Sequence, residues 1–227
     1  MSGRAKVIIH IGGHDFHPVY EQAALLTGWL AEFCWCHTAE SLAALEHLGE
    51  CDLVVFMGMY YSGWEGRYRP PGEPHKRQVE RYVASGSPMI FAHGAIASYD
   101  DWPRFAALAG FTFAGRRPTF ALPGEYLVRV SRDGADEPIR HGVDDHVLQE
   151  APPSDVRVAD DIGARVHASI ARGADGAMPM WVTGRGGRVE GAGKTAFIGA
   201  GHDLRGFAHP MTRQIWINTA QWCLSRS

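Results

Sequence analysis

Four short, almost wholly apolar runs constrain the fold of this chain most: Val7-Ile8-Ile9-His10-Ile11, Leu53-Val54-Val55-Phe56-Met57, Pro88-Met89-Ile90-Phe91-Ala92 and Thr195-Ala196-Phe197-Ile198-Gly199. Runs of this length without polar alternation suit strands buried on both faces, as in a parallel sheet covered by helices. Helical patterns lie between them. Val19, Ala23, Leu26 and Leu30 recur at helical spacing, Leu25, Trp29 and Phe33 widen that face, and Pro18 suits the first turn. Ser41 to Leu48 reads as a helix stopped by Gly49, and Lys76 to Ser85 as another with Gln78, Tyr82 and Val83 inward. With Cys34 to His37 as a short strand, the order βαβαβαβ predicts an α/β fold with a doubly wound, mainly parallel sheet.

After Gly110 the pattern changes. Phe111 to Phe113, Tyr126 to Val130, Val156 to Val158 and Val166 to Ile170 read as short strands separated by Gly, Pro and Asp clusters. They predict a small antiparallel edge extension over about residues 111–175 of a single domain, since 227 residues suit one large core. Pro210 to Leu224 closes the chain as a helix with Ile215, Trp216, Thr219 and Trp222 inward.

Composition narrows the partners. A net charge of −3 without a basic run argues against nucleic acid, and no stretch approaches the ~18 apolar residues of a membrane span. The expected partner is a small-molecule carbohydrate or other small polar ligand, with a homo-oligomer left open. The apolar run after Lys6 is too short for a secretory leader. Cys34, Cys36, Cys51 and Cys223 lack the spacing of a redox or zinc site. A reduced, cytoplasmic protein is expected.

Strand ends carry the chemistry. In an open α/β sheet the carboxyl ends of the strands converge on one crevice. Here the turns read Gly12-Gly13-His14-Asp15-Phe16-His17, Met59-Tyr60-Tyr61 with His75 beyond, His93-Gly94-Ala95, and Gly199-Ala200-Gly201-His202-Asp203. Imidazole titrates near neutrality, so it serves as general acid/base or, neutral, as a metal ligand. The structural alternatives are a helix cap at Asp15, backbone-bonded imidazoles, and a cap at Asp203. Tyr60, Tyr61 and Trp64 suit either a sugar-stacking platform or loop packing. His10, His37, His47, His141, His146, His167 and His209 lack such a setting and read as structural or solvated.

Two nucleotide motifs fail. Gly193-Lys194-Thr195 imitates a phosphate loop, but the glycine required six residues before the lysine falls on Arg188, and a strand follows instead of a helix. A hairpin turn is the better reading. Gly12-Gly13 lacks the third glycine of a dinucleotide fingerprint and puts His14, Asp15 and His17 where small residues belong.

In this order the motifs resemble the ThuA-like (trehalose utilisation) family of the class I glutamine amidotransferase-like superfamily. The similarity rests on the opening Gly-Gly-His14-Asp15-Phe16-His17, the Cys51-Asp52-Leu53-Val54-Val55 strand and Tyr82-Val83-Ala84-Ser85-Gly86. It continues through Phe91-Ala92-His93-Gly94-Ala95, Trp102 to Phe113, Pro138 to Val143, Pro179-Met180-Trp181 and Gly193 to Asp203. The chain departs at Glu137, where the family often has His, at Gln149-Glu150-Ala151-Pro152-Pro153, where an acidic-aromatic element is usual, and at Arg116 or Arg117 in place of a histidine. The resemblance implies a flavodoxin-like three-layer sandwich, a role in carbohydrate catabolism with 3-keto-glycosides as substrates, and no glutaminase activity. The last agrees with the missing thiol at position 93.

The combined reading is an enzyme, a carbohydrate-active hydrolase, lyase or isomerase. His93, His14 and His202 are catalytic candidates; His17, Asp15, Tyr60, Tyr61, Gly94 and Asp203 are substrate-binding candidates. A variant places a divalent metal such as zinc among His14, His17, His93 and His202. The alternative is a non-catalytic sugar- or partner-binding domain. A cysteine hydrolase would need Cys34, Cys36 or Cys51 to be reactive.

Overall fold

The computed structural model describes residues 3–14, 17–64, 68–115, 117–133, 137–171, 176–185 and 189–225. The first half runs β1 (Ala5–Ile11), α1 (Val19–Leu30), β2 (Cys34–Glu40), α2 (Ser41–Glu46), β3 (Leu53–Phe56), α3 (Glu73–Ala84), β4 (Met89–Ala92) and α4 (Pro103–Ala109). The second half runs β5 (Phe111–Phe113), β6 (Gly124–Val130), β7 (His146–Glu150), β8 (Val156–Val158), β9 (Arg165–Ala171), β10 (Ala177–Arg185) and β11 (Lys194–Ile198), then α5 (Leu204–Phe207) and α6 (Pro210–Leu224). Among the described residues the main sheet has the order β2-β1-β3-β4-β11-β10-β9-β6-β7. Its first five strands are parallel, and the remainder add antiparallel.

The apolar runs are explained by what covers each face. Val7, Ile9 and Ile11 of β1 point with Leu53, Val55, Ile90 and Ile198 into a core closed by α1 and α6. Ile8, Val54, Phe56, Phe91 and Phe197 point the opposite way, against Leu45, Val79, Tyr82, Val83 and Phe105 of α2, α3 and α4. A strand covered on both sides has no position left for a polar residue except one with its own partner. His10 is that exception: fully buried, it meets the Tyr99 hydroxyl at 3.0 Å, and burial pushes it down to about 3. On α1, Leu26 and Leu30 are wholly buried, each contributing roughly 1.5–3 kcal/mol.

The fold is the expected α/β three-layer sandwich, with a mixed sheet. The antiparallel extension also takes in β10, so it reaches Arg185. Strands β7 and β10 escape the sequence pattern for physical reasons. β10 carries Pro179, and its ladder shifts register between Pro179 and Val182, breaking the alternation. β7 shows its period only from the inside, where His146, Leu148 and Glu150 are buried. Helix α3 starts at Glu73, with Pro74 in its first turn, and buries Val79 where Gln78 is only half-buried. The Gly193-Lys194-Thr195 segment leads into β11, the return strand of the β10–β11 hairpin. Lys194 is committed there: Nζ donates to the carbonyls of Trp222 and Ser225 at the end of α6. No helix among the described residues is long and apolar enough to cross a membrane.

The turn after β1 requires glycine. Gly13 pairs with Met59 in a β-bridge at φ +87°, and a Cβ would lie 2.2 Å from the Met59 carbonyl oxygen. Gly13→Ala is expected to lower unfolding free energy by about 2–4 kcal/mol in urea titration. Gly28→Ala, on the exposed side of α1 with nothing within 4 Å, is expected to raise it by about 0.5–1 kcal/mol. Equal effects would contradict the close approach of the two turns.

Candidate functional site

His93 occupies the turn that follows β4, in left-handed backbone at φ +45°. That conformation costs a non-glycine residue roughly 1–3 kcal/mol and persists only where the surroundings enforce it. The enforcement is visible. A Cβ on Gly94 would lie 2.6 Å from Met59 Sδ and 3.3 Å from His17 Cε1, and one on Gly201 3.0 Å from His93 Cβ. The turn is therefore packed between the β1, β3 and β11 turns, with no room beside it.

Three imidazoles meet there. The His17 ring stands edge to face with His93 at 4.8 Å and with His202 at 5.5 Å, and His93 and His202 are 5.8 Å apart. Nδ1 of His93 lies 2.8 Å from the Gly199 carbonyl. A carbonyl only accepts, so Nδ1 carries the proton and Nε2 holds a lone pair. Nε2 has no partner among the described residues, although the residue is only 2% exposed. Burial first, then the His17 charge, hold the His93 imidazolium well below its ordinary range, against the pull of the Gly199 carbonyl. Burial, then His202 and His14, push His17 down to about 4. Both rings are neutral at pH 7.

A buried carboxylate holds the third ring in place. Glu150, on β7 and 2% exposed, accepts at 2.9 Å from the amides of Gly201, His202 and Ala151. Gln22 of α1 donates to the Gly201 carbonyl from the other side, at 2.9 Å. Burial drives Glu150 up to about 7, although the three amides pull it down. Phe120 stacks on His93 at 4.9 Å and 18°, covering one face of the base. Neither Glu150 nor Phe120 stands among the sequence candidates. The inward alternation His146-Leu148-Glu150 was a usable signal for the first; nothing local marks the second.

The other candidates separate. His14 stands beside the cluster, edge-on to Trp64 at 4.5 Å, with Nε2 3.4 Å from the Tyr61 carbonyl. Tyr61 meets Trp64 at 5.3 Å, so these aromatic rings form a wall next to His14. Tyr60 turns away: its hydroxyl donates to the Ile11 carbonyl and its ring packs on His10, which makes it a core residue. Asp203 caps α5, accepting from the Arg205 and Gly206 amides, and pairs with Arg205. His75 lies on α3, paired with Glu46. Asp15 lies outside the described residues. Among the described residues no three His, Cys, Asp or Glu side chains form a group that could hold a metal ion. Burial, as the largest cause, pushes every cysteine thiol up, Cys34 to about 12 and Cys36 and Cys51 to about 11.

A cavity of about 650 Å3 lies at the other end of the sheet, lined by Glu137, Arg165 and Arg185. The histidine cluster is the stronger candidate site, since among the described residues it is the place where an unpartnered imidazole nitrogen and two further imidazoles meet at strand ends. The Glu137 departure accordingly sits away from the cluster.

Residues 7–223 match the ThuA family model, described as trehalose utilisation. The structure is similar to a ThuA-like protein of Parabacteroides merdae (TM-score 0.77, 13% identity, 98% of this chain and 90% of that one). A ThuA-like protein of Bacteroides uniformis superposes with TM-score 0.65 at 16% identity, over 100% of this chain and 94% of that one. A glutamine amidotransferase of Thermotoga maritima follows at TM-score 0.52 and 12% identity, over 87% of this chain and 75% of that one. No curated protein sequence matches the chain.

Glu150→Gln leaves one amide oxygen for three N–H donors and is expected to cost about 1–3 kcal/mol in thermal or chemical unfolding. Its pH signature has a definite sign. The folded carboxyl holds its proton up to about 7, whereas the ordinary value is 4.5. The folded state thus binds more protons across that window, and Glu150's contribution to stability falls as pH rises through it. Wild-type minus Glu150→Gln stability should decline from pH 4.5 to pH 7; a flat difference would contradict the buried, proton-holding carboxyl.

Proposed function

The chain belongs to the ThuA (trehalose utilisation) family, and on that premise we propose that it acts on a sugar or 3-keto-glycoside by histidine acid/base chemistry. One observation carries the proposal: His93 in a strained strand-end turn, its Nδ1 proton committed to Gly199, its Nε2 without a partner among the described residues and beside His17 and His202. A carbonyl acidifies the C–H bond next to it. Nε2 of His93 takes that proton, the C–H electron pair moves toward the carbonyl, and the oxygen becomes an enolate. The neutral His17 ring, or the ring of His202 beside it, donates a hydrogen bond to that oxygen. Because burial disfavours the His93 imidazolium, the proton is returned readily, to carbon or to a departing glycosidic oxygen.

The raised thiols and the absence of cysteine at position 93 support the expectation that glutaminase chemistry is lost. A binding role without turnover has one observation on its side: His93 is 2% exposed beneath Phe120, so a ligand reaching it must displace that ring.

Deuterium exchange separates the two. Wild-type protein with a 3-keto-disaccharide in D2O is expected to exchange the hydrogen beside the carbonyl, by NMR, at least ~100-fold faster than His93→Ala or His93→Gln. Equal exchange by wild type and both variants would sink the His93 base. Sugar binding with no exchange by wild type would favour the binding role.

A further inference from the structure

The cavity at the far end of the sheet is a built site in its own right. It opens between the start of β9, the end of β10 and the last turn of α6, with Glu137, Arg165, His167, Thr183, Arg185 and Trp222 in its wall. Lys194 at the start of β11 borders this end, whereas Gly199 and His202 at the other end of β11 serve the histidine cluster.

Positive charge is concentrated there in a protein of net charge −3. Arg165 and Arg185 line the wall, and Arg140 stands beside Glu137 at 3.9 Å. The acid of this wall, Glu137, is already paired with Arg165. Arg185 makes no ion pair with a described residue.

Two deeply buried groups each keep a nitrogen without a hydrogen-bond partner among the described residues. Arg140, 5% exposed, uses Nη1 on the Ser131 carbonyl, sets Nη2 3.9 Å from Glu137, and leaves Nε without a partner among the described residues. His167, 1% exposed, meets Thr183 Oγ1 at 2.7 Å through Nε2 and leaves Nδ1 unbonded. Buried donors are almost always satisfied, so the Arg140 Nε–H points to a missing acceptor, and His167 Nδ1 adds a second unbonded polar atom at the cavity wall. Burial, then the charges of Arg140 and Arg165, push the His167 imidazole down to about 4, which locates those cations around it.

We propose that this cavity binds a small anion through a phosphate or carboxylate group, with Arg165 and Arg185 as its charged contacts and Trp222 as an apolar wall for an attached carbon frame. Guanidinium forks match both oxyanions, and a cavity of about 650 Å3 admits a phosphorylated monosaccharide. The site is independent of the histidine cluster, so both can be filled together.

Calorimetric titration with glucose 6-phosphate, inorganic phosphate, malonate and glucose tests this. Saturable binding of at least one anion is expected, with glucose itself silent. Arg185→Ala, or the length-preserving Arg185→Gln, should weaken that binding by about tenfold or more, while His93→Ala leaves it unchanged. Glucose 6-phosphate binding more tightly than phosphate would support the site and identify an organic ligand reaching Trp222; equal binding would support it and assign it to the free anion. No saturable binding of any anion by folded wild type would overturn the proposal. So would anion affinity unchanged in both Arg185 variants, or glucose binding as tightly as its phosphate.

Discussion

The 2.8 Å hydrogen bond from the His93 ring to the Gly199 carbonyl joins the ends of two neighbouring strands, β4 and β11. Much of the site follows from it. It places the proton on Nδ1, turns Nε2 into an acceptor, and holds a non-glycine residue in left-handed backbone that the chain would not otherwise adopt. It is possible because the parallel sheet delivers both strand ends to the same place. The Gly13–Met59 bridge brings the β1 and β3 turns up to the same crevice.

Burial then decides the charge state. Imidazoles about 5 Å apart would repel if protonated, and desolvation acts in the same direction, so His17 and His93 are neutral. Two neutral rings suit proton transfer to and from carbon, because a neutral imidazole carries both an acceptor nitrogen and an N–H. Glu150 works from behind. Its carboxyl gathers three backbone amides and fixes the loop that carries His202, at the cost of a buried acid driven up to about 7.

The legible part of this arrangement is the part encoded locally. Apolar runs marked β1, β3, β4 and β11, and strand-end position alone singled out His14, His17, His93 and His202. Long-range features were hidden. Phe120 reaches His93 from an irregular segment held by a bridge to Pro153, and Glu150 acts from a strand whose alternation spans five residues. Tyr60 misled because a strand-end turn does not say which way each side chain faces; its hydroxyl goes to Ile11, into the core. Asp203 beside His202 is a helix cap, the structural alternative for that residue pair. The departure at Glu137 belongs to the far cavity, so it bears on that site and leaves the histidine cluster intact.

His93 is held as a neutral imidazole of fixed tautomer, and nitrogen-15 NMR of the imidazole rings tests this most directly. His93 is expected to keep a protonated Nδ1 and a bare Nε2, and not to titrate between pH 5.5 and pH 8, roughly the range where a free imidazole would change charge. A His93 ring that protonates near 6.5, or one that carries its neutral-form proton on Nε2, would contradict it.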